Sequence, residues 1–436
     1  ADNTAEPPVE EIHDHTPPKA KKKMDAKQKK ITVIAVLCIV AVVALSLGIG
    51  LPIYFHFKDK IMVDSADDFG NIEKGKYFVL SKDVTVDGDL DMSKLGNYSI
   101  DLQGHTLTVK GKLTYQTDDA KDIQIGKTKK KQYIQGGGLV ANEIVLSTPN
   151  ANVSLLSSTQ GQKVTISAKK VTLGGMTASD GINIESNKLD VVGNISTSST
   201  AKVEIANCDA TISANVESSI KAVNSQLLVK GGSAVDSVEL DSLSTAQISG
   251  QIKNGISGGK KVAMLPGHKC QEYIGITTLA LYREGASDYT IKSCGKIVYI
   301  DRLVKPAEML VEERGEGVVV AVATKVPHAT QYIFEVDGNQ YTSDTNEFDV
   351  SFIMAQGQVG KHEIVVYAKG NYDFDGLDAV EDKVVYLDSD KNNMSYTYKI
   401  TLSTPENIQL EESEGKVFLK FNTVKFADYY TVSIGG

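Results

Sequence analysis

Beyond residue 60, short runs of apolar residues alternate with small polar residues for nearly two hundred positions, and helical spacing is absent. One series of apolar positions recurs about every twenty residues: Ile144/Leu146, Val164/Ile166, Ile182/Ile184, Val203/Ile205, Val223 and Leu243. A second series follows it: Val153/Leu155, Val171/Leu173, Leu189/Val191, Ile212, Leu228 and Ile248. Two strands per unit with polar corners predict a parallel β-solenoid over residues 65–260, because each coil buries its inward side chains by stacking. A β-sandwich, with strands about every 8 to 12 residues, is the alternative.

The C-terminal third repeats a different pattern. The phrase VPHATQYIFEVDG (Val326–Gly338) aligns in register with VKFADYYTVSIGG (Val424–Gly436), and each follows a proline, Pro306 or Pro405. The interval of 98 residues is the size of one Ig-like sandwich, about 100 residues. We therefore predict a complete β-sandwich over residues 303–403 and the start of a second, truncated one over residues 404–436. Since part of a sandwich cannot bury its apolar faces, we expect further domains to follow.

Near the N-terminus the pattern is continuous rather than alternating. From Ile31 to Ile53 no residue is charged, and about 20 such residues suffice for a helix to cross a bilayer. The sequence thus predicts a single transmembrane helix over residues 31–57. A cleaved signal peptide is the rival interpretation, but its apolar region is normally only about 7 to 15 residues long.

Charge gives this helix an orientation. Seven lysines crowd into twelve positions just before it: Lys19, Lys21, Lys22, Lys23, Lys27, Lys29 and Lys30. The positive-inside rule places this side in the cytoplasm and the bulk of the chain outside the cell. Residues 1–30, rich in proline and lacking apolar periodicity, are predicted to be a disordered cytoplasmic tail, and the lysines to contact anionic lipid. The expected localisation is the cell membrane, with the lipid bilayer as a partner.

The segments KGKYFVLSKDVTVDGDL (Lys74–Leu90) and SIDLQGHTLTV (Ser99–Val109) resemble the first coils of pectate-lyase-like right-handed β-helix proteins, including bacterial surface versions. The resemblance implies that Gly104 lies at a corner and that Ile100, Leu102, Leu107 and Val109 point inward. It favours a structural role for His105 over a catalytic one. Enzymes of this family cleave polysaccharides, so catalysis remains the alternative function.

The 98-residue repeat resembles strands B and C of fibronectin type III domains. GKHEIVVYAKG (Gly360–Gly370) and MSYTYKITL (Met394–Leu402) then resemble strands F and G. The usual core tryptophan is replaced by Ala323 and Phe421, and the chain contains no tryptophan, so the core must pack differently. Residues 261–302, with four tyrosines and with Cys270 and Cys294, are predicted to be a linker that caps the solenoid. An extracellular location permits, but does not require, a disulfide between these two cysteines.

The chemistry-bearing residues are sparse. Between Leu139 and Lys260 there is no Phe, Tyr, Trp, His or Arg, whereas a glycan-cleaving groove needs aromatic platforms and a base or paired carboxylates. Asp101 and His105 are the first candidates for an acid and base. Asp87, Asp89 and Asp91 alternate and would supply three oxygens to calcium, which needs six to eight, so a polar turn is favoured. We therefore assign no catalytic, metal or cofactor residue.

The net charge of −9 and only three arginines disfavour nucleic acid. The sequence favours a non-catalytic surface protein for adhesion, envelope architecture or glycan binding, with envelope glycans or other surface proteins as expected partners. A membrane-tethered polysaccharide lyase or glycoside hydrolase is the alternative. A third interpretation is a receptor whose short tail recruits cytoplasmic partners by docking.

Overall fold

The structure is a computed structural model. It describes residues 60–70, 77–93, 99–126, 128–129, 132–133, 137–284, 288–315, 318–352, 360–381, 383–399, 402–425 and 427–434. The predicted cytoplasmic tail (1–30) and transmembrane helix (31–57) lie outside these ranges. Among the residues described, no helix is long and apolar enough to cross a membrane.

The described chain is almost entirely β-structure, with two short 3₁₀ helices at Ala66–Gly70 and Asp375–Ala379. The first strands are β1 (Lys60–Val63), β2 (Tyr77–Leu80), β3 (Val84–Val86), β4 (Leu90–Asp91), β5 (Ser99–Asp101), β6 (Thr106–Gln116), β7 (Ile123–Ile125), β8 (Thr128–Lys129) and β9 (Gln132–Tyr133). An extended segment, β10 (Gly138–Val191), then winds through several turns.

The later strands are shorter. They are β11 (Ile195–Thr197), β12 (Lys202–Ala206), β13 (Asp209–Ile212), β14 (Val216–Val223), β15 (Gln226–Val229), β16 (Ala234–Leu240), β17 (Thr245–Ile248), β18 (Gln251–Gly258), β19 (Lys261–Met264), β20 (Lys269–Cys270), β21 (Glu272–Ile274), β22 (Thr278–Tyr282), β23 (Thr290–Lys292) and β24 (Lys296–Arg302). Except for the antiparallel β8–β9 hairpin, these strands pair in parallel with the coils before and after them, which makes a β-solenoid of about twelve turns.

Each coil contributes to three stacks of parallel strands, one more per coil than the sequence predicts. Stack 1 contains β10, β11, β14, β16, β18 and β20. Stack 2 contains β10, β12, β14, β16, β18, β21 and β23. Stack 3 contains β10, β13, β15, β17, β19, β22 and β24. Alternate residues of each strand point into one continuous apolar core, because side chains alternate across a strand.

The predicted core positions are right through Ile205 and then drift. Val203 pairs with Ile220, and Ile220 pairs with Val238, so the steps in stack 2 shorten to 17 and 18 residues. The extrapolated positions Val223 and Leu243 are 38% and 64% exposed. In stack 3, Leu228 is half-buried, and its neighbours Leu227 and Val229 occupy the core instead.

Residues 261–302 are not a separate cap. They form β19 to β24, which continue the parallel pairing of all three stacks beyond Lys260. The strand that ends stack 3 comes from much later in the chain: β31 (Val384–Leu387) pairs in parallel with β24. The open strand edge is therefore covered by hydrogen bonding rather than by a preceding linker.

Two antiparallel sheets follow the solenoid. The first contains β25 (Met309–Glu313), β26 (Val319–Ala323) and β29 (Glu347–Asp349), and the second contains β28 (Asn339–Ser343), β27 (Gln331–Val336), β30 (Gly360–Lys369) and β32 (Asn392–Tyr398), in that order. They enclose their own core as a β-sandwich. Phe334, Tyr341 and Phe348 stack with centroid distances of 5.0 to 5.5 Å, so phenylalanines and a tyrosine occupy a core that contains no tryptophan.

The described residues of the second copy of the repeat form the hairpin β33 (Gln409–Ser413) and β34 (Lys416–Lys420). In both copies a tyrosine hydroxyl accepts a hydrogen bond from the backbone N–H six residues earlier: Tyr332 from Val326 and Tyr430 from Val424. Tyr332 is buried, whereas Tyr430 is 37% exposed, because the described residues of the second copy form one two-stranded sheet and no second sheet to face it.

Candidate functional site

Asp101 and His105 stand on either side of a turn and contact different residues. Gln103 and Gly104 adopt positive φ angles of 49° and 91°, which turn the chain at the predicted corner. Asp101 accepts hydrogen bonds from the backbone and side chain of Gln103, and His105 Nδ1 lies 3.7 Å from Asp83. The four predicted inward residues, Ile100, Leu102, Leu107 and Val109, are all buried. The corner interpretation of Gly104 is thus confirmed.

The three alternating aspartates take separate roles at a coil edge. Asp87 pairs with Lys110 at 2.7 Å, and this ion pair holds the pKa of Asp87 below its usual range. Asp89 accepts a hydrogen bond from the backbone N–H of Lys112, and Asp91 from that of Ser93. In the part of the chain that the structure describes, no group of three His, Cys, Asp or Glu side chains is placed to hold a metal ion.

Acids along the solenoid pair with lysines one coil away or, for Glu239 and Lys202, two coils away. Asp190 lies 2.7 Å from Lys170, Asp236 lies 2.8 Å from Lys253, and Glu239 lies 2.7 Å from Lys202. Glu204 and Lys221 are 3.0 Å apart. Such exposed pairs contribute little stability, about 0–1 kcal/mol each. They place opposite charges side by side on the outer faces of the coils, where parallel in-register stacking would otherwise align like charges.

The three cysteines that the structure describes are free thiols. Cys208, Cys270 and Cys294 form no disulfide, so the permitted bond between Cys270 and Cys294 is not made. Cys208 lies in the wall between stacks 2 and 3, where Ser186 Oγ is 3.3 Å from its sulfur. Burial raises the pKa of its thiol to about 11, which disfavours the nucleophilic thiolate.

An asparagine row marks the corner between stacks 2 and 3. Asn207 and Asn224 have positive φ angles of 55° and 47°, a conformation that asparagine tolerates better than most residues. Asn224 Nδ2 donates to Asn207 Oδ1 at 2.9 Å, and Asn207 Nδ2 donates to Glu185 at 3.0 Å. Asp241 continues the row by accepting the backbone N–H of Asn224 at 3.1 Å. The corner therefore exposes stacked amide groups at coil spacing.

Beside this corner a groove crosses the outer face of stack 3. Its first part has a volume of about 460 Å³ and its second part about 200 Å³, and Asp209, Gln226 and Thr245 line both. These three residues are register neighbours in β13, β15 and β17. The other polar side chains along it are Asn187, Asn207, Thr211, Asn224, Ser225, Gln247 and Lys260. Apolar residues also line it: exposed Leu243 in the first part, and Ala210, Leu227, Leu228 and Phe374 in the second.

Phe374 belongs to an insertion of the sandwich. We call residues 371–387, of which 382 is not described, the bridging segment; it lies between β30 and β32 and packs on the last coils of the solenoid. Its Leu377 is fully buried among Ala263, Ala280 and Val298. Ala263, Ala280 and Val298, the outward residues of stack 3 that Leu377 covers, are small or apolar. Before β19 the outward residues Asp209, Thr211, Gln226, Thr245 and Gln247 are polar, with Leu228 as the apolar exception. Phe374 thus stands where the covered part of the face ends and the groove begins.

A buried lysine holds the bridging segment in place. Lys261, with a side chain only 7% exposed, donates from Nζ to the carbonyl oxygens of Phe374 (2.9 Å) and Asp375 (2.8 Å). The same ammonium lies 3.3 Å from Asp378 and 5.1 Å from the centre of the Phe374 ring. Thr278 donates to Asp378 at 2.8 Å. Burying a charge requires such compensation, so these contacts fix the backbone at Phe374 firmly.

The groove offers hydrogen-bonding amides and hydroxyls beside a few apolar side chains, with one acid and one base, Asp209 and Lys260. Such a lining suits a ligand with many hydroxyl or amide groups and little charge. Sequence reasoning found the polar coils but missed the aromatic residue, since Phe374 is more than a hundred residues from the strands it faces. One sequence signal could have indicated the covering segment. In VAM (Val262–Met264) and TLALY (Thr278–Tyr282) apolar and polar residues do not alternate, which is typical of strands that are covered on both faces.

A scan against protein-family models and searches of curated proteins and of solved structures found no match to this chain. The β-solenoid and the sandwich therefore rest on the chain's own strand pairing.

Proposed function

We propose that this protein is a non-catalytic, single-pass surface protein whose solenoid binds extracellular or envelope glycans. The observation that carries the proposal is the groove on stack 3, which combines amide and hydroxyl side chains with Phe374. The apolar run of residues 31–57 and the preceding lysines support a membrane anchor with a cytoplasmic N-terminus. The domains after the anchor would then present the groove outside the cell.

The two recognisable parts support a modular surface protein. A three-stranded sheet in the order β25-β26-β29 facing a four-stranded sheet in the order β28-β27-β30-β32 is the strand arrangement of a fibronectin type III domain. The N-terminal coils that contain SIDLQGHTLTV support a pectate-lyase-like, right-handed β-helix. We infer both classes, with the sandwich acting as a spacer that also completes the groove.

Binding is tested with the full chain in detergent micelles. Wild-type protein is immobilised and exposed to fluorescent oligosaccharides of several uncharged and acidic compositions, and we expect saturable binding to at least one. In parallel, incubation with pectin, alginate and peptidoglycan is expected to release no reducing or unsaturated ends. Release of such ends would favour the lyase or hydrolase alternative, and absence of all binding would reject the proposed function.

The anchor is tested separately in the cell. After fractionation, the full chain is expected in the membrane fraction. Protease added to intact cells should remove an epitope placed in the exposed loop after β33 and spare one at the N-terminus. Protection of the β33 epitope, or recovery of the full chain in a soluble fraction, would contradict the proposed localisation.

A further inference from the structure

We propose that the groove on stack 3 selects uncharged glycan chains, that Phe374 supplies a stacking wall for a sugar ring, and that Lys261 is the residue that positions this wall. The inference rests on the proposed glycan-binding function and adds the ligand class and the way the site is assembled. Three observations support the inference: the charges of the side chains along the groove, the number of coils that the groove crosses, and the hydrogen bonds that hold the backbone of Phe374.

The charge of the groove sets the ligand class. Among the described residues that line it, Asp209 and Lys260 are the charged ones, and they oppose each other in sign. A polyanionic chain needs a run of basic side chains, with arginine suited to bidentate contacts with carboxylates. The groove instead presents Asn207, Asn224 and Gln226, whose amides both donate and accept hydrogen bonds. An uncharged chain can satisfy these groups without bringing its own charge next to Asp209.

The groove is long enough for an extended ligand. The lining residues Asn187 and Lys260 stand next in sequence to Lys188 and Lys261, which are the two ends of a run of register partners in stack 3 that passes through Asp209, Gln226 and Thr245. Four coil steps of about 4.8 Å span about 19 Å along the direction of stacking. A chain that runs along this direction would meet a polar side chain at each coil and reach Phe374 at its end. Binding should therefore strengthen with the number of sugar units.

Phe374 is suited to stacking because its backbone is held while its ring borders the groove. Its side chain is half-buried, and it lines the second part of the groove together with Gln247 and Leu228. Lys261, the first residue of β19, donates a hydrogen bond to the carbonyl oxygen of Phe374 and is itself covered by the bridging segment. Lys261 is therefore a positioning residue: it acts on the ligand through Phe374.

The test measures dissociation constants of the full chain in micelles for three fluorescent hexasaccharides: a glucose chain, an N-acetylglucosamine chain and a galacturonic acid chain. We expect at least one uncharged hexasaccharide to bind about tenfold or more tightly than the acidic one. F374A should weaken that binding about tenfold, while F374Y should retain it, since the ring remains. F418A, which removes an exposed phenylalanine of β34, is the matched control and should change nothing.

K261M tests the positioning role. The variant should weaken binding of the uncharged chain about as much as F374A does. The double variant should bind no more weakly than F374A alone, because both changes remove the same contact between the Phe374 ring and the sugar. A purely structural effect would give additive losses. Because K261M also disturbs a buried charge, its melting temperature is recorded, and T278A, which keeps the lysine and removes one contact to Asp378, serves as a milder variant with a smaller loss.

The outcomes separate the two proposals. Preference for the galacturonic acid chain, unchanged affinity in F374A, or additive losses for K261M and F374A would overturn this inference while leaving glycan binding intact. Failure to bind any uncharged or acidic chain would instead reject the proposed function itself.

Discussion

At the scale of single residues, the corners of the solenoid depend on side chains that tolerate a left-handed backbone. Asn207 and Asn224 combine positive φ with side-chain amide hydrogen bonds to the preceding coil, whereas Gly104 adopts positive φ without a side chain. Asparagine at a corner thus serves both the turn and the stacking. The sequence shows these residues as polar positions, but their left-handed conformation follows only from where each coil turns.

Replacing Asn224 by alanine separates the two roles. We expect N224A to lower the free energy of unfolding by about 1–2 kcal/mol, because alanine is strained at positive φ and the bond to Asn207 is lost. N224G removes the same hydrogen bond without the strain and should cost only about 0.5–1 kcal/mol. Urea titration followed by circular dichroism measures both variants. Equal losses would show that backbone conformation is unimportant at this corner.

Asp241 gives the corner a dependence on pH. Burial opposes its charge, but hydrogen bonds from Ser244 Oγ (2.5 Å) and from the backbone N–H groups of Asn224, Ser244 and Leu243 hold the pKa of its carboxyl below the usual value. A carboxyl with a lowered folded-state pKa stabilises the protein above its unfolded-state pKa, about 3.9, and this contribution is lost as the pH falls through the folded value.

The variant D241N should therefore be less stable than wild type at pH 7, and the difference should shrink as the pH is lowered below about 4. Thermal melting at a series of pH values from 7 to 3 measures it. D67N, which neutralises an exposed acid far along the chain from this corner, is the control. A difference in melting temperature that stays constant over this range would contradict the role assigned to the Asp241 carboxylate.

At the scale of elements, the sequence predicted strand type and inward residues well where coil length was regular. The apolar pairs from Ile144 to Ile205 are in the core, and Ile212 and Ile248 are as well. The prediction of inward residues was wrong at Val223, Leu243 and Leu228. Shortening a coil by three residues changes which side chains point inward, and the apolar periodicity does not show which corner is shorter.

The end of the solenoid was also missed. Strands that are buried on both faces have no alternation, so β19 and β22 were not distinguished from a linker. Their outer cover is a segment about a hundred residues away, a long-range contact that leaves no local trace. For the same reason the polar outward positions of the coils could be predicted from the sequence, whereas the groove, its aromatic wall and the supporting lysine could not.

The repeated tyrosine contact allows a comparison of two elements of one sequence type. Y332F should cost about 1–3 kcal/mol, since Tyr332 is 4% exposed and the N–H of Val326 loses its acceptor. Y430F removes the same contact at an exposed site and should change stability by less than about 0.5 kcal/mol. Chemical denaturation of both variants measures the contrast. Similar losses would show that the second copy is packed as well as the first.

At the scale of the whole described molecule, the bridging segment joins the solenoid and the sandwich into one cooperative unit. Leu377 is buried against the outer face of stack 3, β31 extends that stack, and Lys261 and Lys296 donate to carbonyl oxygens of the segment. A large apolar contact with specific hydrogen bonds resists the relative movement expected of domains on a simple linker.

L377A should weaken this junction by about 2–4 kcal/mol, the usual cost of a leucine cavity in a core. We expect wild type to show one main calorimetric transition and L377A to show two, as the sandwich and the solenoid unfold separately. L310A, at a leucine that is 44% exposed in β25, is the control and should keep a single transition. A single, merely shifted transition in L377A would mean that the junction does not couple the two parts.

The addition of β31 to β24 has a consequence for the order of synthesis. The strand that ends stack 3 leaves the ribosome about 80 residues after Arg302, when β25 to β30 have already been made. Until residue 387 has emerged, the edge of β24 stays unpaired and the outer faces of Ala263, Ala280 and Val298 stay uncovered. A nascent chain that stalls in this interval exposes an unpaired strand edge and an apolar surface, both of which favour aggregation. Rapid synthesis through residue 387 therefore protects the nascent solenoid from pairing with other chains.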